Sequence, residues 1–287
     1  MTLSTSSTLG QSGPAVLAVH GGLGWDSATL RPWLDPLAER ARLTFIDLLG
    51  CGGSPEPEDW SEVTNETWAE GVEAVRARLD AEVGGHERVV VFGHSYGAAV
   101  ALEVARLYPA RVAGLVLCTP PSRPAHLGAA VARAQARLPD LPDSVGPALQ
   151  DAFAGPPESD AAFADGMRAL LPLYVADPAA LDLDAFADRV RFRVGAVRRS
   201  FYDLSSEYDA RDGLEGIGAP ALVLSGRHDW VSAPDEGPAE VASGLGAEHV
   251  TFEQSGHFPF MEEPDAFLDV VGEWLDRLAA RTSAAGL

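Results

Sequence analysis

Apolar residues in this chain gather into short runs instead of alternating with polar ones: Ala15 to Val19, Leu43 to Ile46 with only Thr44 between, Val89 to Phe92 and Val112 to Cys118. A strand that is apolar at every position is buried on both faces, which is the environment of a parallel sheet covered by helices. Between these runs lie segments of helical character, Ser27 to Ala41, Thr64 to Val83 and Gly97 to Leu107. Such alternation predicts an α/β fold with a mostly parallel, doubly wound sheet. From about residue 122 to 212 the strand pattern vanishes, replaced by Ala-, Arg- and Asp-rich helical stretches broken at Pro139, Pro142, Pro156-Pro157 and Pro178. It resumes at Ala221 to Leu224 and His249 to Phe252, and Pro264 to Arg281 has the spacing of a final amphipathic helix. The expected organisation is one catalytic domain from residues 1–121 and 213–287, with a helical cap at 122–212 inserted between its strands. There is no internal repeat, and Ser283 to Leu287 reads as a frayed tail.

The run Val89 to Phe92 leads into Gly93-His94-Ser95-Tyr96-Gly97, which opens the next helix. G-x-S-x-G at a strand-to-helix junction places a serine on a sharp elbow, where flanking glycines remove Cβ clashes and the helix N-terminus favours developing negative charge. Ser95 is the expected nucleophile. A serine hydroxyl needs a histidine to take its proton and a carboxylate to fix that histidine's tautomer. On this type of elbow they follow in the order Ser, Asp or Glu, His, each after a strand. The chain supplies that order. Ala221 to Leu224 is followed by Ser225-Gly226-Arg227-His228-Asp229-Trp230, and His249 to Phe252 by Ser255-Gly256-His257-Phe258. Asp229 and His257 are therefore the expected partners.

A rival acid would follow Val112 to Cys118, but Thr119-Pro120-Pro121 offers none. His257 alone among the histidines combines the order with a strand-then-glycine setting. His20 and His94 sit in glycine-rich turns that favour structural hydrogen bonds; His228 adjoins the acid and is expected to point away; His86, His126 and His249 read as surface or strand residues. Acyl transfer also needs two N–H donors for an oxyanion. Tyr96 N–H, from the elbow, is one. Gly22 N–H, in His20-Gly21-Gly22-Leu23-Gly24, is the expected second, with Leu23 the alternative and a plain connecting turn the simpler reading.

With these motifs the chain resembles an α/β-hydrolase, and within that group the proline iminopeptidase (prolyl aminopeptidase) family, over nearly its whole length. His20-Gly-Gly-Leu-Gly24 is similar to the family's H-G-G-P-G, Asp47 to Ser54 to its D-x-x-G-x-G-x-S loop, and Ser255 to Pro264 to its closing histidine segment. Leu23 stands where the family carries proline, and Trp230 where some members carry an acid. The resemblance implies a cofactor-free serine peptidase releasing N-terminal proline from short peptides. A carboxylesterase or C–C bond hydrolase is the alternative, and a non-catalytic small-ligand receptor the alternative from another class. An aminopeptidase must pair its substrate's ammonium. Trp230, Glu207 and Tyr202 are the candidate substrate contacts, with Glu207 and Asp209 either meeting an amine or capping the surface. Of the cap's Phe153, Phe163, Leu170, Leu173, Tyr174, Phe186, Phe192, Phe201 and Tyr202, about a third are expected to roof a pocket.

Composition narrows the partners. A net charge of −21 opposes nucleic acid and anionic membranes, leaving a small molecule or short peptide. All 21 basic residues are arginine, so Schiff-base chemistry and a Walker-type loop are excluded. Cys51 and Cys118 are far apart and read as free thiols; no Cys/His spacing fits zinc. No apolar run spans a membrane, and Met1 to Gly13 lacks a signal-peptide pattern, so a cytoplasmic enzyme is expected.

Overall fold

The computed structural model describes residues 3–22, 24–121, 123–204 and 208–284, with side chains to residue 281. Seven strands form one sheet: β1 (Thr5–Leu9), β2 (Ala15–Val19), β3 (Arg42–Ile46), β4 (Val89–His94), β5 (Val112–Cys118), β6 (Ala221–Gly226) and β7 (Glu248–Phe252). Their spatial order is β1-β3-β2-β4-β5-β6-β7, all parallel except for β1, which pairs antiparallel with β3. After the edge strand β1 the chain enters the parallel part at β2 near the middle, winds outward to β3, and returns through β4 to wind the other way.

Continuous apolarity follows from cover on both faces. Val90 and Phe92 of β4 join one core with Val116, Phe252 and Phe267, while Val89 and Val91 join another with Leu115, Trp68 and Val100. The second core is closed by α1 (Asn65–Val83) and α2 (Tyr96–Leu107). Thr64 starts α1 through reciprocal hydrogen bonds with Thr67. Between β5 and β6 the described elements are all helical: α3 (Leu127–Arg137), α4 (Val145–Ala154), α5 (Asp160–Tyr174), α6 (Leu183–Arg189), α7 (Val194–Val197), a π-helical turn (Arg198–Leu204) and short 3₁₀ turns. After β6 come α8 (Gly237–Leu245), α9 (Pro259–Glu262) and α10 (Pro264–Ala284).

One local expectation fails, and one strand carries no sequence signal. Ser27 to Ala41 is no helix but two 3₁₀ turns, Ser27–Leu30 and Asp35–Glu39. Pro32 forces Arg31 into extended backbone (φ −111°, ψ 143°), which ends the first turn. Strand β1 carries no apolar signal, TSSTL, because an edge strand with partial exposure needs no two-sided burial.

Candidate active site

Ser95 sits between β4 and α2 with φ 52° and ψ −122°, a positive-φ conformation costing a non-glycine residue about 1–3 kcal/mol. Its neighbours explain how the strain is held. A Cβ on Gly93 would lie 2.3 Å from the Gly97 carbonyl, and one on Gly97 2.4 Å from the carbonyl of His20, so only glycines allow this crossing. Ser95 N–H donates to Cys118 O at 2.8 Å, and Ser95 O accepts from Ala98 N–H at 2.8 Å. Tyr96 begins α2, leaving its N–H without an intrahelical acceptor. The loop after β2 lies against this elbow: a Cβ on Gly21 would be 2.8 Å from Ser95 Cβ. Gly22, at φ 53°, turns the loop back so that its carbonyl accepts from Trp25 N–H, while its own N–H has no partner among the described residues. Leu23 lies outside the described residues.

The loops after β6 and β7 interlock in the same way. Gly226 has no side chain because Gly256 O occupies that space, 1.9 Å from where a Cβ would stand. This close passage brings Asp229, 1% exposed, to His257: Nδ1 to Oδ2 is 2.7 Å. The other Asp229 oxygen accepts Val231 N–H at 2.8 Å. With its Nδ1 hydrogen directed at a carboxylate, the imidazole keeps Nε2 as its basic nitrogen. Ser95 and His257 line one cavity, although no hydrogen bond joins them.

Three side chains that the sequence reading did not single out hold this loop. Glu262 accepts backbone N–H groups from Ala176 (2.6 Å), Gly256 (2.9 Å) and Phe258 (3.1 Å), and burial pushes its carboxyl up from the usual range. Glu263 accepts from Gln254 N–H (2.9 Å) and Ser255 Oγ (2.6 Å). Arg137 closes the end of α5 by donating to the carbonyls of Leu173 and Val175, both at 2.8 Å. His257 N–H donates to Tyr174 O at 2.7 Å, so the helical segment and the histidine loop share hydrogen bonds. The only sequence sign was the Glu-Glu pair before Pro264.

The remaining histidines divide. His94 Nε2 donates to His257 O at 2.8 Å; its Nδ1 is buried without a partner, and burial followed by His257 holds its pKa well below the ordinary value. His20 Nε2 accepts Leu48 N–H, leaving Nδ1 to donate to Gly21 O. His228 is exposed, and His249 on β7 meets Ser225 Oγ at 2.8 Å. Two expectations need correcting: His86 is buried beneath α1, with Nδ1 2.8 Å from Gly84 O, and His126 lines the cavity.

That cavity, about 390 Å³, extends from Ser95, Gly22 and His257 between the sheet and the helical segment. Trp25, Phe163, Met167, Tyr174, Trp230 and Phe258 make its wall predominantly apolar. Six of the nine aromatic and leucine positions expected to divide one-third to the pocket in fact line it; Leu173, Phe186 and Phe192 pack away. Tyr202 lines it with its hydroxyl given to Ala152 O at 2.7 Å, and Trp230 with Nε1 unpartnered. Among the described lining residues there is no carboxylate; the charged side chain is Arg123, which reaches Glu240 at 2.8 Å. Asp209 does not line the cavity. Its carboxyl is lowered to about 2, first by hydrogen bonding to Arg211. Glu207 lies outside the described residues.

A parallel sheet with a strained serine at its central strand-to-helix turn defines a class. The chain belongs to the alpha/beta hydrolase fold family, whose model matches residues 14–264. It is similar to a proline iminopeptidase of Saccharolobus solfataricus, 26% identical over 92% of this chain and 85% of the relative. Among solved structures, a thermophilic esterase from Thermogutta terrifontis superposes with a TM-score of 0.73 at 24% identity, covering 96% of this chain and 94% of the esterase. A proline iminopeptidase-related protein from Thermus thermophilus gives 0.72 at 24%, with 97% and 98% covered. Among the described residues no helix is long and apolar enough to cross a membrane, and no cluster of His, Cys, Asp or Glu has the makings of a metal site.

Proposed function

We propose that the chain is a serine hydrolase of carboxylic esters with an apolar acyl group. Ser95 Oγ attacks the acyl carbon as His257 Nε2 takes its proton, and Asp229 holds the ring and stabilises the imidazolium. Gly22 and Tyr96 N–H groups receive the oxyanion, each donor of this kind being worth about 10²–10³ in rate. The protonated His257 then passes its proton to the leaving alcohol, and water activated by the same nitrogen releases the acid. One observation carries the substrate class: the described cavity wall is apolar and contains no carboxylate. An α-ammonium bound there would meet no carboxylate among the described wall residues, and a buried ammonium left unpaired costs several kcal/mol.

Release of N-terminal proline from short peptides is the second reading, favoured by the relatives named proline iminopeptidase at 24–26% identity. The two separate cleanly. The ester reading expects kcat/KM for p-nitrophenyl butyrate to exceed that for proline p-nitroanilide, with Ser95→Ala abolishing it. Faster turnover of the anilide, lost when its amine is acetylated, would replace it with the peptidase reading. Saturable binding of a small ligand with no product from either would leave a receptor.

A further inference from the structure

Among the described residues, four large hydrophobic side chains stand exposed: Val83, Leu127, Phe153 and Phe201. Single exposed apolar residues are ordinary on any surface. Here, however, three of the four line the cavity, and they come from three separate elements: α3, the end of α4, and the π-helical turn. Phe153 and Phe201 meet with ring centroids 6.2 Å apart, and Phe201 packs edge-on against Tyr202 at 5.1 Å. Trp25, Phe258 and Phe163 line the same cavity as the three exposed side chains of this rim and as Ser95. A π-helical turn is itself uncommon and is found frequently at functional sites.

We infer that the rim is the seat for the distal part of a medium- to long-chain acyl group, whose carbonyl lies at Ser95. The inference rests on the serine-hydrolase reading above and specifies its substrate. At about 30 Å³ per non-hydrogen atom, the cavity holds on the order of a dozen atoms. A chain longer than roughly eight to ten carbons must therefore reach the opening, where Leu127, Phe153 and Phe201 offer apolar cover in place of water. The same patch serves an anionic bilayer poorly, because the chain carries a net charge of −21.

The test uses n-alkyl fluorophosphonates from ethyl to dodecyl, kept below their micelle concentrations. They report on Ser95 whether the natural leaving group is an alcohol or an amine: the Oγ–P bond forms, P–F breaks, fluoride leaves, and the serine proton passes to His257. The expected second-order inactivation constant rises two- to fourfold per methylene, fourfold corresponding to full burial of a CH₂. The rise continues past ten carbons in the wild type. In Phe153→Ser/Phe201→Ser it stops near that length, lowering the dodecyl rate about four- to sixteenfold for the two methylenes beyond it and leaving the ethyl rate within twofold. Leu127→Ser gives the same pattern more weakly, and the wild-type series needs no variant at all. A flat or falling series overturns the inference while leaving the hydrolase reading intact, as does equal slowing of ethyl and dodecyl probes. A chain-length effect seen only with anionic vesicles assigns the rim to a membrane instead. No labelling at any length overturns the hydrolase reading and this inference with it.

Discussion

Gly97→Ala tests whether the elbow's geometry depends on the close crossing of α2 over β2. The added Cβ would stand 2.4 Å from His20 O and 2.6 Å from Val19 O, about 1 Å inside the 3.4 Å at which ordinary contact begins. Both obstacles are backbone, so neither side can swing aside; α2 and β2 must separate. Overpacking of this kind costs about 1–3 kcal/mol, offset by up to about 1 kcal/mol because alanine is the better helix former. The net expectation is a loss of about 2 kcal/mol, seen as a fall of several degrees in Tm. The functional loss is larger. A shift of about 1 Å between Ser95 and the Gly22 loop is expected to lower the rate of fluorophosphonate labelling by about 10²-fold. Gly166→Ala is the matched control: Gly166 lies inside α5 with nothing within 4 Å of its would-be Cβ. It should gain up to about 1 kcal/mol and label normally. The reasoning is refuted if Gly97→Ala melts with Gly166→Ala, or labels at the wild-type rate.

Asp229→Asn keeps the shape of the buried pair but removes the charge facing His257 Nδ1, so kcat should fall by about 10³–10⁴ with Tm little changed; a drop under tenfold would remove Asp229 from the proposed triad. His94 is held neutral by burial, so below its unfolded pKa of about 6.5 the unfolded chain binds the extra proton and stability is lost as pH falls. Urea melts should show the wild type losing up to about 1.4 kcal/mol per pH unit more than His94→Gln between pH 6.5 and 5, whereas parallel curves would contradict this. Burial raises both thiols, that of Cys51 to about 12; Ellman's reagent at pH 7.5 should therefore find no reactive thiol in the native protein and two in denaturant, and fast native reaction would show that one is accessible.

What the chain disclosed in advance is what local physics dictates. Short apolar runs rich in valine, isoleucine and phenylalanine and bounded by turns mark doubly covered strands, so β2 to β6 were legible, and Gly93 and Gly97 marked a turn that no Cβ permits. Ser95 and Asp229 were legible for the same reason, each following such a strand; His257 follows the half-buried β7 and was marked by the order and the glycine turn before it. Ser27 to Ala41 misled because helical composition outweighed Pro32, whose effect on Arg31 decides the backbone there. Strand β1 was invisible because pairing, rather than apolarity, makes an edge strand. Glu262 and Arg137 were beyond reach for another reason: the bond from Ala176 to Glu262 spans 86 residues and that from Arg137 to Leu173 spans 36, and a surface-type residue gives no sign of what it will bond. The share of helical aromatics facing the cavity was likewise set by how the helices seat on the sheet.

The bonds from His257 N–H to Tyr174 O and from Ala176 N–H to Glu262 make the helical segment part of the frame that carries the proposed base. Gly256 leaves room for just this contact, since a Cβ there would strike Tyr174 O at 2.4 Å. Grafting foreign helices between β5 and β6 to change specificity would therefore also move the histidine. A workable chimera must cut inside the segment, keeping residues 173–176 with Arg137 as native scaffold and exchanging the turns that carry Phe153 and Phe201. Descent faces the same restriction: the rim is free to vary, while the stretch bonded to the histidine loop must stay with the sheet.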